Sequence, residues 1–213
     1  MPANPSSPRF YLEPLSEGKH SQGIYELWTK PGNLAGTSME TAPDLEATRT
    51  IIRDRAYGAK PGVVNFAIMA GPESPLYGLM TAAAPGSSPP PPPTKLINEE
   101  LSDAAKPAPK IIGFTGILRV APEEAGWYVA GSCRGRGVAT EAVAAMLGKY
   151  WEAQPATTEV IAYISEGNVV SERVAARAGF VRAMERTSTQ GSVLPNGLVT
   201  ECDHRVWVAK KPV

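Results

Sequence analysis

Several features are scarce in this chain of 213 residues, and each scarcity removes a class of function. The only cysteines are Cys133 and Cys202, too few for a disulfide framework, which fits a reducing compartment. No charge of either sign is in excess, with Lys+Arg 21 against Asp+Glu 21, so no overall field favours nucleic acid or an acidic membrane. No uninterrupted apolar run approaches the ~18 residues that a membrane span needs. The opening MPANPSSPRF lacks an apolar core, so no secretory signal is expected and a cytoplasmic location is the default expectation. What remains, 43% hydrophobic and 20% charged, is ordinary for a soluble domain, and the length suits one domain over residues 1–213 with a sizeable core.

Proline is the one excess, and it is concentrated. Between Gly71 and Lys110 the chain reads GPESPLYGLMTAAAPGSSPPPPPTKLINEELSDAAKPAPK. Pro89 to Pro93 have no backbone donors and favour polyproline II, so they fit neither helix nor sheet interior. Residues 72–109 therefore read as a surface insertion, mobile at least in part, which would offer weak docking to a proline-binding module.

The flanks of that segment read as strands. VVNFAIMAG (63–71) and KIIGFTGILRV (110–120) are β-branched and apolar, and an antiparallel pairing is expected between them. Upstream, RFYLEPL (9–15) reads as a short strand. Residues 16–30 and 44–58 carry helical spacing, through Ile24, Leu27 and Trp28 in the first and Leu45, Thr48, Ile51 and Ile52 in the second. Downstream come a strand at 124–130, a glycine-rich loop, and a helix of about 14 residues. Then follow a strand at 159–164, a helix at 168–179, a strand at 180–188 and a last strand at 204–211. Their alternation predicts parallel pairing through helical crossovers in this half.

The loop is CRGRGVATEAV, Cys133 to Val143. After Gly137, the residues Val138, Ala142, Val143, Met146, Leu147, Tyr150 and Trp151 fall on one helical face, so a helix begins near Gly137. Its first amides have no intrahelical partner and, with the helix dipole, form an anion site. Gly135 and Gly137 lack the Cβ atoms that would hold a phosphate away, and Arg134 and Arg136 add charged donors. A P-loop is excluded, because no Gly, four residues, then Gly-Lys-Ser/Thr occurs. The dinucleotide fingerprint fails where Thr140 stands at its third glycine. On spacing alone, a phosphate cradle and a basic connecting turn both stay open.

Three ordered elements then carry a resemblance. Arg-x-x-Gly-x-Ala, here Arg134, Gly137 and Ala139, closely resembles the acyl-CoA pyrophosphate loop of the GNAT superfamily of N-acetyltransferases. NVVSERVAARAGF (168–180) resembles that superfamily's Asn-x-x-Ser helix ending in Gly-Phe. EAGWYVA is similar to the Glu-x-Gly-Tyr-Trp strand of the branch that includes the ribosomal-protein alanine acetyltransferases. The resemblance is strong over about 110–182. It implies an α/β (α+β) fold, with a central mixed, mostly antiparallel sheet of six to seven strands, splayed beside the loop and flanked by helices.

The resemblance also implies roles. Backbone groups of Tyr128, Val129 and Ala130 would hold the pantetheine of acetyl-CoA, and amides of Arg134, Gly135, Arg136, Gly137, Val138, Ala139 and Thr140 its pyrophosphate. Direct acetyl transfer to an amine requires removal of a proton from the amine, donors for an oxyanion and protonation of the leaving thiolate. Glu124 matches the family's strand glutamate and would be the base, provided burial raises its pKa; read by itself, Glu123-Glu124 after Pro122 is equally a solvated turn. Asn168 would contact the cofactor or an ordered water while also capping its helix, and Ser171 would sit near the sulfur as the acid candidate. The tyrosine that many members place on this helix is missing between 168 and 180, and Tyr163 is a distant second candidate.

Other reactive side chains read as structural. Cys133 beside two arginines has a route to a depressed pKa but no nearby histidine as base. Cys202, Asp203 and His204 are adjacent in a strand and cannot complete a tetrahedral site alone, so no metal is expected. The acceptor pocket is expected within 16–60, where Tyr25, Trp28, Glu40, Asp44 and Glu46 lie. The expected partners are acetyl-CoA and an amine, with no nucleic acid and no membrane, in a monomer or homodimer. The rival is a catalytically silent acyl-CoA-binding module with a regulatory or scaffolding role.

Overall fold

The structure, a computed structural model, describes residues 9–30, 33, 42–81, 107–193 and 199–212. Among the described residues, seven strands and five helices follow in the order β1 (Tyr11–Pro14), α1 (Glu17–Thr29), α2 (Leu45–Arg55), β2 (Asn65–Ala70), α3 (Pro75–Thr81), β3 (Lys110–Val120), β4 (Glu123–Val129), α4 (Val138–Ala153), β5 (Glu159–Ser165), α5 (Val169–Arg177), β6 (Val181–Val193) and β7 (Val199–Lys210). A 3-10 turn, Gly131–Cys133, joins β4 to the loop before α4.

The strands form one sheet in the order β1-β2-β3-β4-β5-β7-β6. Every neighbouring pair is antiparallel except β4 and β5, which run parallel and meet only at Glu124 and Ile161. Beyond that point β4 and β5 part, and the gap opens toward Val129. The mixed, mostly antiparallel seven-stranded sheet flanked by helices is the architecture expected from the sequence. The parallel pairing expected throughout the second half needs correction. The helical crossovers do keep β4, β5 and β6 in one direction, but β7 inserts antiparallel between β5 and β6 and takes both sets of ladder bonds.

Strand alternation divides the core between the two faces of the sheet. Phe66, Ile117, Ala125, Val160, Ala162 and Ile164 pack with Val143, Met146, Leu147 and Tyr150 of α4. Ala67, Met69, Phe114 and Tyr128 pack on the opposite face with Ile24, Leu27 and Trp28 of α1 and Ile52 of α2. The apolar stripe read for α4 is the buried one, from Val138 to Tyr150. Fully burying each such side chain contributes roughly 1.5–3 kcal/mol, which fixes α4, and the loop that feeds it, against the sheet.

One correction concerns the segment read as an insertion. Its residues 75–81 form α3, with Leu76 at 2% exposure packed beside Ile112, Cys133 and Val138. Ser74 Oγ accepts the amide of Leu76 at 3.1 Å, and Pro75 occupies the first helical position. The five-proline run lies outside the described residues. No helix among the described residues is long and apolar enough to cross a membrane.

Candidate active site

The loop between β4 and α4 is shaped by two glycines. Gly135 has φ 74° and Gly137 φ 81°, left-handed values that L side chains adopt only under strain. Gly137 is the N-cap of α4 and has no side chain to cap it. The helix's first backbone bond runs from Glu141 N to Gly137 O at 3.1 Å, so the amides of Val138, Ala139 and Thr140 precede the ladder. These three residues line a cavity of about 290 Å³ together with Gly135, Arg134 and, from α5, Val170, Val174, Arg173 and Arg177. Absent Cβ atoms, an uncapped helix start and arginines together fit a diphosphate.

Arg134 has a second task. Its Nε donates to Val129 O at 3.0 Å and its Nη2 to Asn33 O. Asn33, 7% exposed, accepts from Gly131 N at 2.9 Å and donates Nδ2 to Leu27 O at 2.9 Å. The end of α1 is thereby lashed to the start of the loop. On the outer side, Arg9 donates to Arg136 O at 2.9 Å and pairs with Glu141. The exposed Arg173 and Arg177 were missed by the sequence reading; their four-residue spacing, one turn of a helix facing the loop, was the available signal.

Along β4, alternation decides which backbone groups reach the gap. Ala130 N donates to Ile112 O at 2.8 Å, so Ala130 and Tyr128 turn their amides to β3. Trp127 and Val129 turn theirs toward β5. Tyr128 stacks on Phe114 with centroids 5.7 Å apart, and burial pushes its hydroxyl up to about 12.

Glu124 stands where β4 and β5 meet, on the face shared with Tyr128. It belongs to a strand and is 14% exposed, which removes the solvated-turn reading. Burial raises its pKa, with Arg119, His204 and Arg55 pulling it down. Arg119 Nη1 lies 3.4 Å from its Oε2, which has no hydrogen-bond partner among the described residues. Strand alternation puts Tyr163, half-buried, and Ser165 on this same face of β5. His204, opposite Ser165 on β7, lies with its Nε2 3.3 Å from Ser165 Oγ. It belongs to the surroundings of Glu124, a placement that only the strand order reveals.

Asn168 caps α5, its Oδ1 accepting Ser171 N at 3.1 Å. Ser171 is half-buried in the first turn and does not line the anion cavity. α5 is braced to β7 by Arg205, which bonds Glu172 and Glu166, each at 2.7 Å. Cys133 is corrected: buried beside Met80 Sδ at 3.8 Å, its thiol is pushed up by burial, not depressed by the arginines. Most acceptor candidates are structural. Trp28 is 3% exposed against Phe114, Asp44 caps α2 through Ala47 N at 2.7 Å, and Glu46 pairs with Arg49 at 3.3 Å. Tyr25 is half-buried on α1, while Glu40 and the side chain of Cys202 lie outside the described residues.

Residues 9–181 match the family model described as an acetyltransferase (GNAT) domain. The chain belongs to the GNAT acetyltransferase family. Membership supports acetyl-CoA-dependent acetyl transfer. Among solved structures, a probable GNAT acetyltransferase from Chromobacterium violaceum is similar at TM-score 0.62 and 17% identity, covering 98% of this chain and 87% of that one. RimL, a ribosomal L7/L12 alpha-N-protein acetyltransferase, is similar at TM-score 0.63 and 13% identity, covering 97% and 93%. The microcin C7 self-immunity acetyltransferase MccE, solved with acetyl-CoA and AMP, is similar at TM-score 0.59 and 14% identity, covering 98% of each chain. At these identities the likeness is one of fold. Among curated protein sequences, none matches the chain.

Proposed function

We propose that this GNAT protein is an N-acetyltransferase that moves the acetyl group of acetyl-CoA directly to a primary amine, with one acyltransferase domain over residues 1–213 that carries a Pro-rich insertion at about 72–109, of which α3 is the folded start. The observation that carries the reading is Glu124: a largely buried carboxylate, its pKa raised by burial, on the strand that leads into the anion loop. In this reading the amides from Arg134 to Thr140 hold the pyrophosphate, and Arg173 and Arg177 add charge around it. The backbone from Tyr128 to Ala130 holds the pantetheine, with the edge amide of Val129 and, one residue before that stretch, the edge groups of Trp127 facing it. Arg134 mainly fixes the loop.

Glu124 takes the proton of the incoming ammonium, directly or through a water, and the amine then attacks the thioester carbonyl. Ser171 and Tyr163 are the hydroxyls available to protonate the departing thiolate. Asn168 sets the first turn of α5 and with it the position of Ser171. No covalent enzyme intermediate is needed, since the one described thiol, Cys133, is buried and held in its neutral form.

The test is release of free thiol from acetyl-CoA across an amine panel, for wild type and Glu124→Gln. Turnover by wild type that collapses in the variant supports the reading. Acetyl-CoA binding with no turnover across a broad panel would instead favour a silent acyl-CoA-binding module.

A further inference from the structure

The cationic surroundings of Glu124 say something about the acceptor. Arg55 ends α2, and its carbonyl accepts Asn65 Nδ2 at 2.8 Å. Asn65 lies opposite Gly116 on β3, and Gly116 lies opposite Gly126 on β4. Gly116 is required there, because a Cβ would stand 1.9 Å from Asn65 Oδ1. Arg55 is thus pinned over this row, two residues along β4 from Glu124 and on the same face of the sheet.

The Arg55 guanidinium is half-buried, and among the described residues no carboxylate or carbonyl receives it. The charges it senses are Arg119, which repels it, and Glu124 and Asp54, which attract it. Glu124 is already matched to Arg119 at 3.4 Å. Asp54 is exposed and its charge is screened by solvent, so at this partly dehydrated spot two arginines draw on Glu124, with His204 adding a third basic group nearby. Keeping a partly buried cation without an acceptor is costly. A simple cationic amine would meet more repulsion than attraction here. The cavity that Arg55 lines with Trp28 and Asn65 is only about 10 Å³, room for one water, so a ligand must be received on the open side of the guanidinium.

We infer that the acceptor carries a carboxylate near its reacting amine, and that Arg55 receives this carboxylate while Glu124 faces the ammonium. The planar fork of a guanidinium matches a carboxylate in a way an ammonium does not. The inference rests on the transferase reading above and deepens it from an amine to an amine with an adjacent acid, such as an amino acid or a peptide N-terminus followed by an acidic residue. Arg55 then determines specificity without taking part in the chemistry.

Matched acid and amide pairs test it: L-alanine against L-alaninamide, β-alanine against its amide, and Ala-Asp against Ala-Asn. Turnover and calorimetric binding in the presence of CoA are measured in parallel for wild type, Arg55→Gln and Arg55→Lys. At least one acid should outperform its amide by about tenfold or more, the size of one well-placed charged contact. The ratio should fall toward one in Arg55→Gln and partly survive in Arg55→Lys. Amides equal to or better than acids in every pair, or an unchanged ratio in Arg55→Gln, would overturn it. Turnover without acid preference sinks this inference and leaves the transferase reading standing. Acid-selective binding without turnover does the reverse, and absence of both removes both. Unaltered melting of Arg55→Lys guards against misfolding as the cause.

Discussion

The two sides of this site are built from different materials. In the proposed reading the donor side is one contiguous stretch, Gly131 to Thr140, that would recognise its ligand mainly through backbone amides bared by glycine and by a helix start. The proposed acceptor side brings together Arg55, Arg119, Glu124 and His204 from α2, β3, β4 and β7, and would recognise through side-chain charge. Backbone recognition needs glycines at fixed offsets, so it is written locally. Side-chain recognition needs only that the topology bring the groups together, so it is written in strand order and register.

That contrast can be broken by variants placed on one side only. The largest effect is expected for Glu124→Gln, which should lower kcat/KM by roughly 10²–10⁴-fold while leaving the Kd for acetyl-CoA unchanged; coupled loss of binding would merge the two sides. Because the Glu124 pKa is raised, wild-type kcat/KM should climb as pH passes above the usual carboxylate range. The same shift means that the folded state holds this proton more tightly than the unfolded chain does. Stability from this group therefore falls as pH rises through its folded pKa, and Glu124→Gln should remove that loss in pH-dependent unfolding.

Gly137→Val comes next. It forces a β-branched residue to φ 81°, with its Cβ 3.3 Å from Glu141 Oε1, at a cost of roughly 1–2 kcal/mol. Acetyl-CoA binding by calorimetry should weaken about tenfold, with the circular dichroism of the fold retained. Asn33→Ala should cost about 1–3 kcal/mol in denaturant unfolding, since it strands the Gly131 amide and the Leu27 carbonyl. Asn168→Ala, which removes one cap, should cost about 1 kcal/mol by the same measurement, with turnover affected less than in Glu124→Gln.

Much of the fold was legible for the same reason as the donor loop. The α4 stripe and the Asn168 cap are local patterns that the structure uses as read, and the glycines take the left-handed backbone that glycine permits. α3 escaped because proline-rich neighbours hid a seven-residue helix with one deeply buried side chain, although Ser74-Pro75 was a start signal. The insertion of β7 between β5 and β6 was not readable, since nothing local in 199–210 states which strands it will join. The same non-locality hid Arg55 and His204. Their sequence neighbours are ordinary, and only the row from Asn65 through Gly116 to Gly126 brings Arg55 within two residues of Glu124 along β4.

The central claim, that the β4–α4 loop is the donor cradle, is tested most directly by following backbone amide chemical shifts while acetyl-CoA is titrated in. The largest changes should fall on Gly135 to Thr140, with further changes at Trp127 and Val129 and small ones on α1. Changes concentrated instead in a second cavity, of about 330 Å³ and lined by Lys19, Lys30 and Lys110, would contradict it.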